Sequence, residues 1–380
     1  MKNSLKIAIL TQPLHDNYGG LLQAYALKEV LNTLGHEAII IDRRGGKPKG
    51  LRKIASRVKG KLLGREVISK RHQDIISKET ISFREKYIPN LSEVIEDNQG
   101  MYKLNNMNFD AYIVGSDQCW RPKYSPYIRN YFLDFAKEKS NIKRLSFAAS
   151  FGVSDWEFTD EETQDCKELL QRFDAISVRE KSGIDLVKKH LGRNDAVHLI
   201  DPTMLLATDD YKKIAAQEKT KPSDGNLKVY VLDKSDSKMR IIRDAEKKLG
   251  LKMFEVLPKK RLGSEPVTNQ NVTDFAYPNP VEWLRAYQDA KFVITDSFHG
   301  TAFSIMFNVP FISIGNPKRG MARFESLLGM FDLEDRLISD DLEHVKIDTI
   351  INNKINWDKV NQILDKEKIK ALDFLKSNLD

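Results

Sequence analysis

The stretch KIAILTQPLHDNYGGLLQAYALKEVLNTLGHEAIIID, residues 6–42, decides the fold class. Its opening KIAIL (6–10) is an apolar run of strand length, and EAIII (37–41) is another, ending at Asp42. Between them, LLQAYALKEVLNTLG sets Leu22, Tyr25, Ala26, Val30 and Leu34 near one helical face and stops at Gly35, a suitable helix terminator. Strand, helix and strand in this order predict a βαβ unit with a right-handed crossover and a parallel sheet. Further apolar runs extend that sheet within FDAYIVGSDQCW (109–120), RLSFAASFG (144–152), FDAISVREKSG (173–183) and AVHLIDPT (196–203). The polar stretch TKPSDGN (220–226) reads as a linker. A second alternation follows: strand 227–232, helix 239–250, strand 251–257, helix 280–290, strand 291–295, a helix to about Phe307 and strand 310–315. Helical segments at 323–328 and 356–379 close the chain. The expectation is an α/β protein of two Rossmann-like domains facing a cleft, at 1–203 and 204–355, with a C-terminal helix at 356–380.

Composition agrees with a two-domain globular protein: 380 residues, 41% apolar and 30% charged, with 13 prolines and 20 glycines. Two cysteines, Cys119 and Cys166, without a CxxC or Cys/His cluster argue against a disulfide framework or structural zinc. The six histidines other than His299 show no metal-ligand spacing, so no obligate metal site is expected, a divalent ion shielding a bound phosphate being the alternative. The first apolar run is too short for a signal peptide and no later one suits a bilayer span, so the expected location is cytoplasmic. The net charge of +7 is uneven. Residues 43–72 carry twelve Lys or Arg against the single acid Glu66, which makes that insertion +11 and leaves −4 elsewhere. Such a segment suits peripheral contact with an anionic membrane at the inner face, or a solvated basic helix. No nucleic-acid-binding motif accompanies it, so no nucleic acid partner is expected.

Ligands of such sheets bind beyond the carboxyl ends of the strands. Those ends are Asn17-Tyr18-Gly19-Gly20, Gly115-Ser116-Asp117-Gln118, Ser150-Phe151-Gly152, Ser177-Val178-Arg179-Glu180, Asp201 and Asp296-Ser297-Phe298-His299-Gly300. In FVITDSFHGTAFS (292–304) a strand delivers a carboxylate, a hydroxyl and an imidazole just where a helix begins, a place suited to an anion. Helix capping by Asp296 or Ser297 accounts equally for those two residues.

Taken in order, NYGGLLQAYAL (17–27), IVGSDQCW (113–120), SFAASFG (146–152), ISVREKSG (176–183), DPT (201–203), TDSFHG (295–300) and KRGMARFESLLGMFDLEDRL (318–337) resemble the polysaccharide pyruvyl transferase family. The basic insertion is the part without a counterpart. The resemblance implies a GT-B-like fold and transfer of a pyruvyl group from phosphoenolpyruvate to two hydroxyls of a sugar, giving a ketal and phosphate. It implies no cofactor beyond phosphoenolpyruvate as co-substrate, and a sugar or lipid-linked glycan as acceptor. Arg179 matches the family's donor arginine, and planar Arg is the natural fork for a carboxylate; an ion pair with Glu180 or Asp201 is its structural alternative. His299 matches the family's histidine and is expected to move protons.

Asp296 is expected to orient His299 or take acceptor protons. Ser297, Gly300, Thr301, Lys318 and Arg323 are the phosphate candidates. Asn17, Tyr18, Gly19, Ser116, Asp117, Gln118 and Trp120 are the acceptor candidates, with the Trp120 ring offered as a stacking face or as core. The competing readings are a GT-B glycosyltransferase using a nucleotide sugar and a non-catalytic glycan-binding relative.

Overall fold

The computed structural model describes residues 4–46, 68–315, 320–339 and 345–380. Two parallel sheets account for the alternation read from the sequence. The first has six strands: β1 (Lys6–Leu10), β2 (Glu37–Ile40), β3 (Ala111–Val114), β4 (Lys143–Ala149), β5 (Ala175–Val178) and β6 (Val197–His198), in the order β2-β1-β3-β4-β5-β6. The second has five: β7 (Leu227–Tyr230), β8 (Met253–Glu255), β9 (Phe292–Thr295), β10 (Phe311–Ile314) and β11 (Leu337–Ile338), in the order β11-β10-β9-β7-β8. Every pairing is parallel. Strand order reverses between β1 and β3 in one sheet and between β7 and β9 in the other, which marks where each sheet offers a ligand crevice.

The α-helices of the first half are α1 (Tyr18–Thr33), α2 (Lys70–Ile76), α3 (Lys78–Tyr87), α4 (Asn98–Lys103), α5 (Asp160–Leu170) and α6 (Lys181–Leu186). Those of the second are α7 (Thr208–Gln217), α8 (Asp236–Leu249), α9 (Pro280–Asp289), α10 (Phe298–Met306), α11 (Ala322–Met330), α12 (Val345–Asn352) and α13 (Trp357–Leu379). Apart from Tyr25, α1 is buried from Tyr18 to Lys28, because it lies between the two halves and not on an outer face. It also begins three residues before the helical pattern read from Leu21, taking in Gly19 and Gly20. One core runs from α1 through α9 and α10 to α13, so both halves share it; two further cores fill the outer faces of the sheets.

The basic segment proves partly structural. Arg43 is 3% exposed and its Nε donates to Asn130 Oδ1, while Arg44 pairs with Asp42, so neither belongs to a free cationic surface. Residues 47–67 lie outside the described residues. Helix α2 docks on the second half, where Ile76 packs with Val267, Val272 and Phe275. Among the described residues no helix is long and apolar enough to cross a membrane.

Candidate active site

Small hydroxyl residues shape the end of the first sheet. The β4–β5 register shifts between Ser146 and Ala149, with Ala148 at φ 46, the local twist of a bulge. Ser177 Oγ donates to the Ser146 carbonyl and accepts from the Ala148 N–H, so the distorted backbone stays satisfied. Ser116 Oγ donates to the Ala148 carbonyl and reaches Asp201 Oδ2 at 3.2 Å.

Arg179, the residue after β5, runs under this layer and is 2% exposed. Its Nη1 donates to Asp201 Oδ2 at 2.7 Å and its Nη2 to Asp117 Oδ1 at 3.1 Å. The guanidinium lies over the Phe298 ring, 4.3 Å from its centroid. Asp201 is further held through Oδ1 by the N–H and hydroxyl of Thr203. Burial opposes ionisation of both aspartates, yet His299 and Arg179 outweigh it and hold both carboxyls below the usual range.

His299 comes from the other sheet, in the first turn of α10. Its Nε2 lies 3.6 Å from Asp201 Oδ2, too long for a hydrogen bond. On its other side the ring presses against α1: a Cβ placed on Gly19 would lie 2.1 Å from His299 Nδ1. Glycine is therefore required there for close approach of the two halves, not for turn geometry. Arg323, early in α11, is 7% exposed; burial and then Arg179 push its guanidinium down to about 10.

Glu180 completes the cluster. Its Oε1 accepts from the N–H groups of Phe151 and Gly152 and from Ser150 Oγ, and burial pushes the carboxyl up against the pull of Arg179. The second half meets this loop directly. A Cβ on Gly320, at φ 99, would lie 1.7 Å from the Gly152 carbonyl oxygen, and Ser326 Oγ accepts from the Lys181 N–H. Two guanidinia and an imidazole thus face three carboxylates between the sheets. That arrangement suits anion binding joined to proton transfer.

The sequence profile of the polysaccharide pyruvyl transferase family matches residues 17–318. The chain belongs to that family. No match exists among curated protein sequences. Among solved structures the chain is similar to a glycosyltransferase from Rickettsia africae (11% identity, TM-score 0.51, 100% of this chain and 97% of that one). It is also similar to a UDP-GlcNAc 2-epimerase from Neisseria meningitidis (10% identity, TM-score 0.54, 98% and 100%). At such identities the likeness establishes the fold, a two-domain GT-B arrangement.

Within this family member, several residues singled out from the sequence are engaged differently from expectation. The carboxylate of Asp296 accepts from the N–H groups of Leu232 and Asp233 and from Lys238 Nζ, so it braces the β7–α8 loop and α8 and does not orient His299. The carboxylate nearest His299 is Asp201. Ser297 Oγ caps α10 by accepting from the Gly300 N–H, which favours the capping alternative. Thr301 Oγ1 is shared between the Ser297 carbonyl and Ser313, and a Cβ on Gly300 would strike Thr295.

Trp120 is fully buried, stacked on Phe132 with its indole N–H donating to the Tyr131 carbonyl, so the core alternative holds and no face is left for a sugar. Tyr18 is also fully buried; its hydroxyl donates to the Pro278 carbonyl across the domain boundary. Ser116 and Gln118 are internally bonded, Gln118 Oε1 accepting from Arg121. Asn17 remains exposed at the start of α1. Lys318 lies outside the described residues.

Arg179, Asp117, His299, Gly19 and Arg323 are the expected residues that converge. Asp201 was visible only as a strand-end acid and an ion-pair partner. Its DPT context signals a capped turn, and nothing in the local sequence points to His299, 98 residues further on. Among the described residues no group of three or more His, Cys, Asp or Glu is placed to hold a metal ion.

Proposed function

We propose that this family member transfers the pyruvyl group of phosphoenolpyruvate to two hydroxyls of a sugar, forming a pyruvate ketal in surface-polysaccharide synthesis. The observation that carries the reading is the meeting of Arg179, Arg323 and His299 beyond the carboxyl ends of strands from both sheets, in a chain matched to the family over residues 17–318. Phosphoenolpyruvate brings a carboxylate and a phosphate beside an enol carbon, and two buried guanidinia offer them planar, charge-assisted partners. Addition of a hydroxyl at C2 needs a proton at C3, and His299 is the group beside the cations suited to deliver it. Phosphoenolpyruvate is then the only co-substrate. The acceptor is a sugar, free or carried on a lipid, and the work is cytoplasmic, where this donor is made.

The reading is tested by incubating the protein with phosphoenolpyruvate and a panel of sugar acceptors, following product by proton NMR. A new ketal methyl singlet with matching phosphate release is expected. General acid–base catalysis contributes roughly 10²–10⁴-fold, so His299→Gln should slow the reaction by about that factor. Turnover of a nucleotide sugar without consumption of phosphoenolpyruvate would overturn the proposal.

A further inference from the structure

The two carboxylates that occupy Arg179 are not held alike. Asp201 takes three hydrogen bonds, from Arg179 Nη1 (2.7 Å), the Thr203 N–H (3.0 Å) and Thr203 Oγ1 (2.8 Å), with Ser116 Oγ a further 3.2 Å contact, and is 1% exposed. The carboxylate of Asp117 takes, among the described residues, one: Arg179 Nη2 at 3.1 Å. Its main chain is pinned, since the Asp117 carbonyl accepts from Cys119 N and Ser150 N and φ is 67, in the left-handed region. Among the described residues the side chain has no second hydrogen-bond anchor, and it is 6% exposed. It stands just past β3, at the switch point of the first sheet.

Both Nη groups of Arg179 donate to carboxylates, while its buried Nε has no hydrogen-bond partner among the described residues. An anion that docks end-on across the two Nη groups takes the place of one carboxylate, and the contact that yields is the longer, singly held one.

Resting on the pyruvyl-transfer reading, we propose that phosphoenolpyruvate displaces Asp117 from Arg179, and that the released carboxylate is the base for the first acceptor hydroxyl. Donor binding thereby precedes acceptor activation. The groups that face Asp117 are Arg179 after β5, His299 on α10, Arg323 on α11 and Asp201 after β6. Burial pushes its carboxyl up, and Arg179, His299 and Arg323 hold it down. A donor anion neutralises those cations while the burial remains, so the freed carboxylate becomes a better proton acceptor.

The proton balance closes. The first hydroxyl gives its proton to Asp117 as its oxygen bonds to C2, and C3 takes a proton from His299. The C2–O bond to phosphate then breaks, and phosphate leaves with the Asp117 proton. The second hydroxyl oxygen bonds to C2 and its proton returns to His299. Both residues end as they began, and nothing is oxidised or reduced.

The test is calorimetric titration of phosphoenolpyruvate alone into the native protein, Asp117→Asn and Asp201→Asn, near pH 6 in two buffers of different ionisation enthalpy. Asp117→Asn is expected to bind about tenfold more tightly, because no charged hydrogen bond to Arg179 need be given up. Asp201→Asn should bind more weakly. The native protein should take up more protons per donor bound than Asp117→Asn. Should Asp117→Asn not unfold cooperatively, Asp117→Ser serves the same comparison.

Equal or weaker binding by the Asp117 variant would overturn the displacement. Tighter binding without the proton difference would overturn the assignment as base. Failure of the native protein to bind phosphoenolpyruvate at all would instead remove the reading on which the inference rests.

Discussion

Asp201 joins the two halves of the chemistry: one carboxylate oxygen receives Arg179 and lies 3.6 Å from His299. Breaking a buried pair on one side leaves the other charge uncompensated, so Asp201→Asn should cost about 3–5 kcal/mol at pH 7 in urea unfolding. The cost is pH-dependent. The folded carboxyl lies below its ordinary value near 3.9, so the stability it brings is complete above about pH 5 and is lost as pH falls below about 4. The gap between native protein and variant should therefore narrow in acid; a constant gap from pH 7 to pH 3 would contradict the pairing. Glu180, pushed up by burial, works in the opposite sense, which is why the comparison is made against the variant and not on the native curve alone. At this scale the sequence was half legible. Apolar runs place Arg179 and His299 at strand ends, and the resemblance to the family singles them out among six such ends. The commitments of Asp296 to Lys238 and of Trp120 to the core depend on contacts with residues 58 and 11 positions away, which no local pattern carries.

Elements were more legible than residues. Short apolar runs announced the strands of both sheets except β11, whose two residues leave no run to read, since strands covered by helices on both faces need continuous apolar side chains. Less visible were α5 and α7, passed over among charged residues, although Thr159 and Glu162 form a complete capping box at the start of α5. The start of α1 was also misplaced, because two glycines argue against a helix until a neighbour is known to press on them. That neighbour is His299 at Gly19. Tyr18, one residue earlier, fixes the same helix to the second domain through the Pro278 carbonyl and through ring contacts with Tyr230, Tyr277 and Trp283. Tyr18→Phe keeps the rings and orphans the carbonyl, so a loss of about 1–3 kcal/mol is expected in thermal or urea unfolding. No loss would mean that the carbonyl finds another partner and that the bond does not hold the helix.

At the scale of the whole molecule, the chain ends by returning to its beginning. Helix α13 packs Phe374 against Phe147 of β4, Lys370 Nζ donates to the His198 carbonyl, and Lys143 Nζ donates to the main chain of Asp380. Val360, Leu364, Leu375 and Leu379 are buried on it. Each such side chain is worth about 1.5–3 kcal/mol of burial, and total stabilities are about 5–15 kcal/mol. A chain ending at residue 355 is therefore expected to lose cooperative unfolding by calorimetry; an unchanged midpoint would show α13 to be dispensable. The two-domain plan was readable because the alternation stops and restarts around TKPSDGN. The sharing of one core between the halves was not readable, since it joins residues hundreds of positions apart.

The central claim, that the cleft between the sheets receives phosphoenolpyruvate, is tested most directly by thermal unfolding with phosphoenolpyruvate and, separately, with a nucleoside diphosphate. A ligand that binds only the folded protein adds about 2.7 kcal/mol at a hundredfold excess over its Kd. The account predicts a saturable rise in the midpoint with phosphoenolpyruvate, absent in Arg179→Ala and in Gly19→Leu, where the added side chain would displace His299. A rise with the nucleoside diphosphate and none with phosphoenolpyruvate would contradict it.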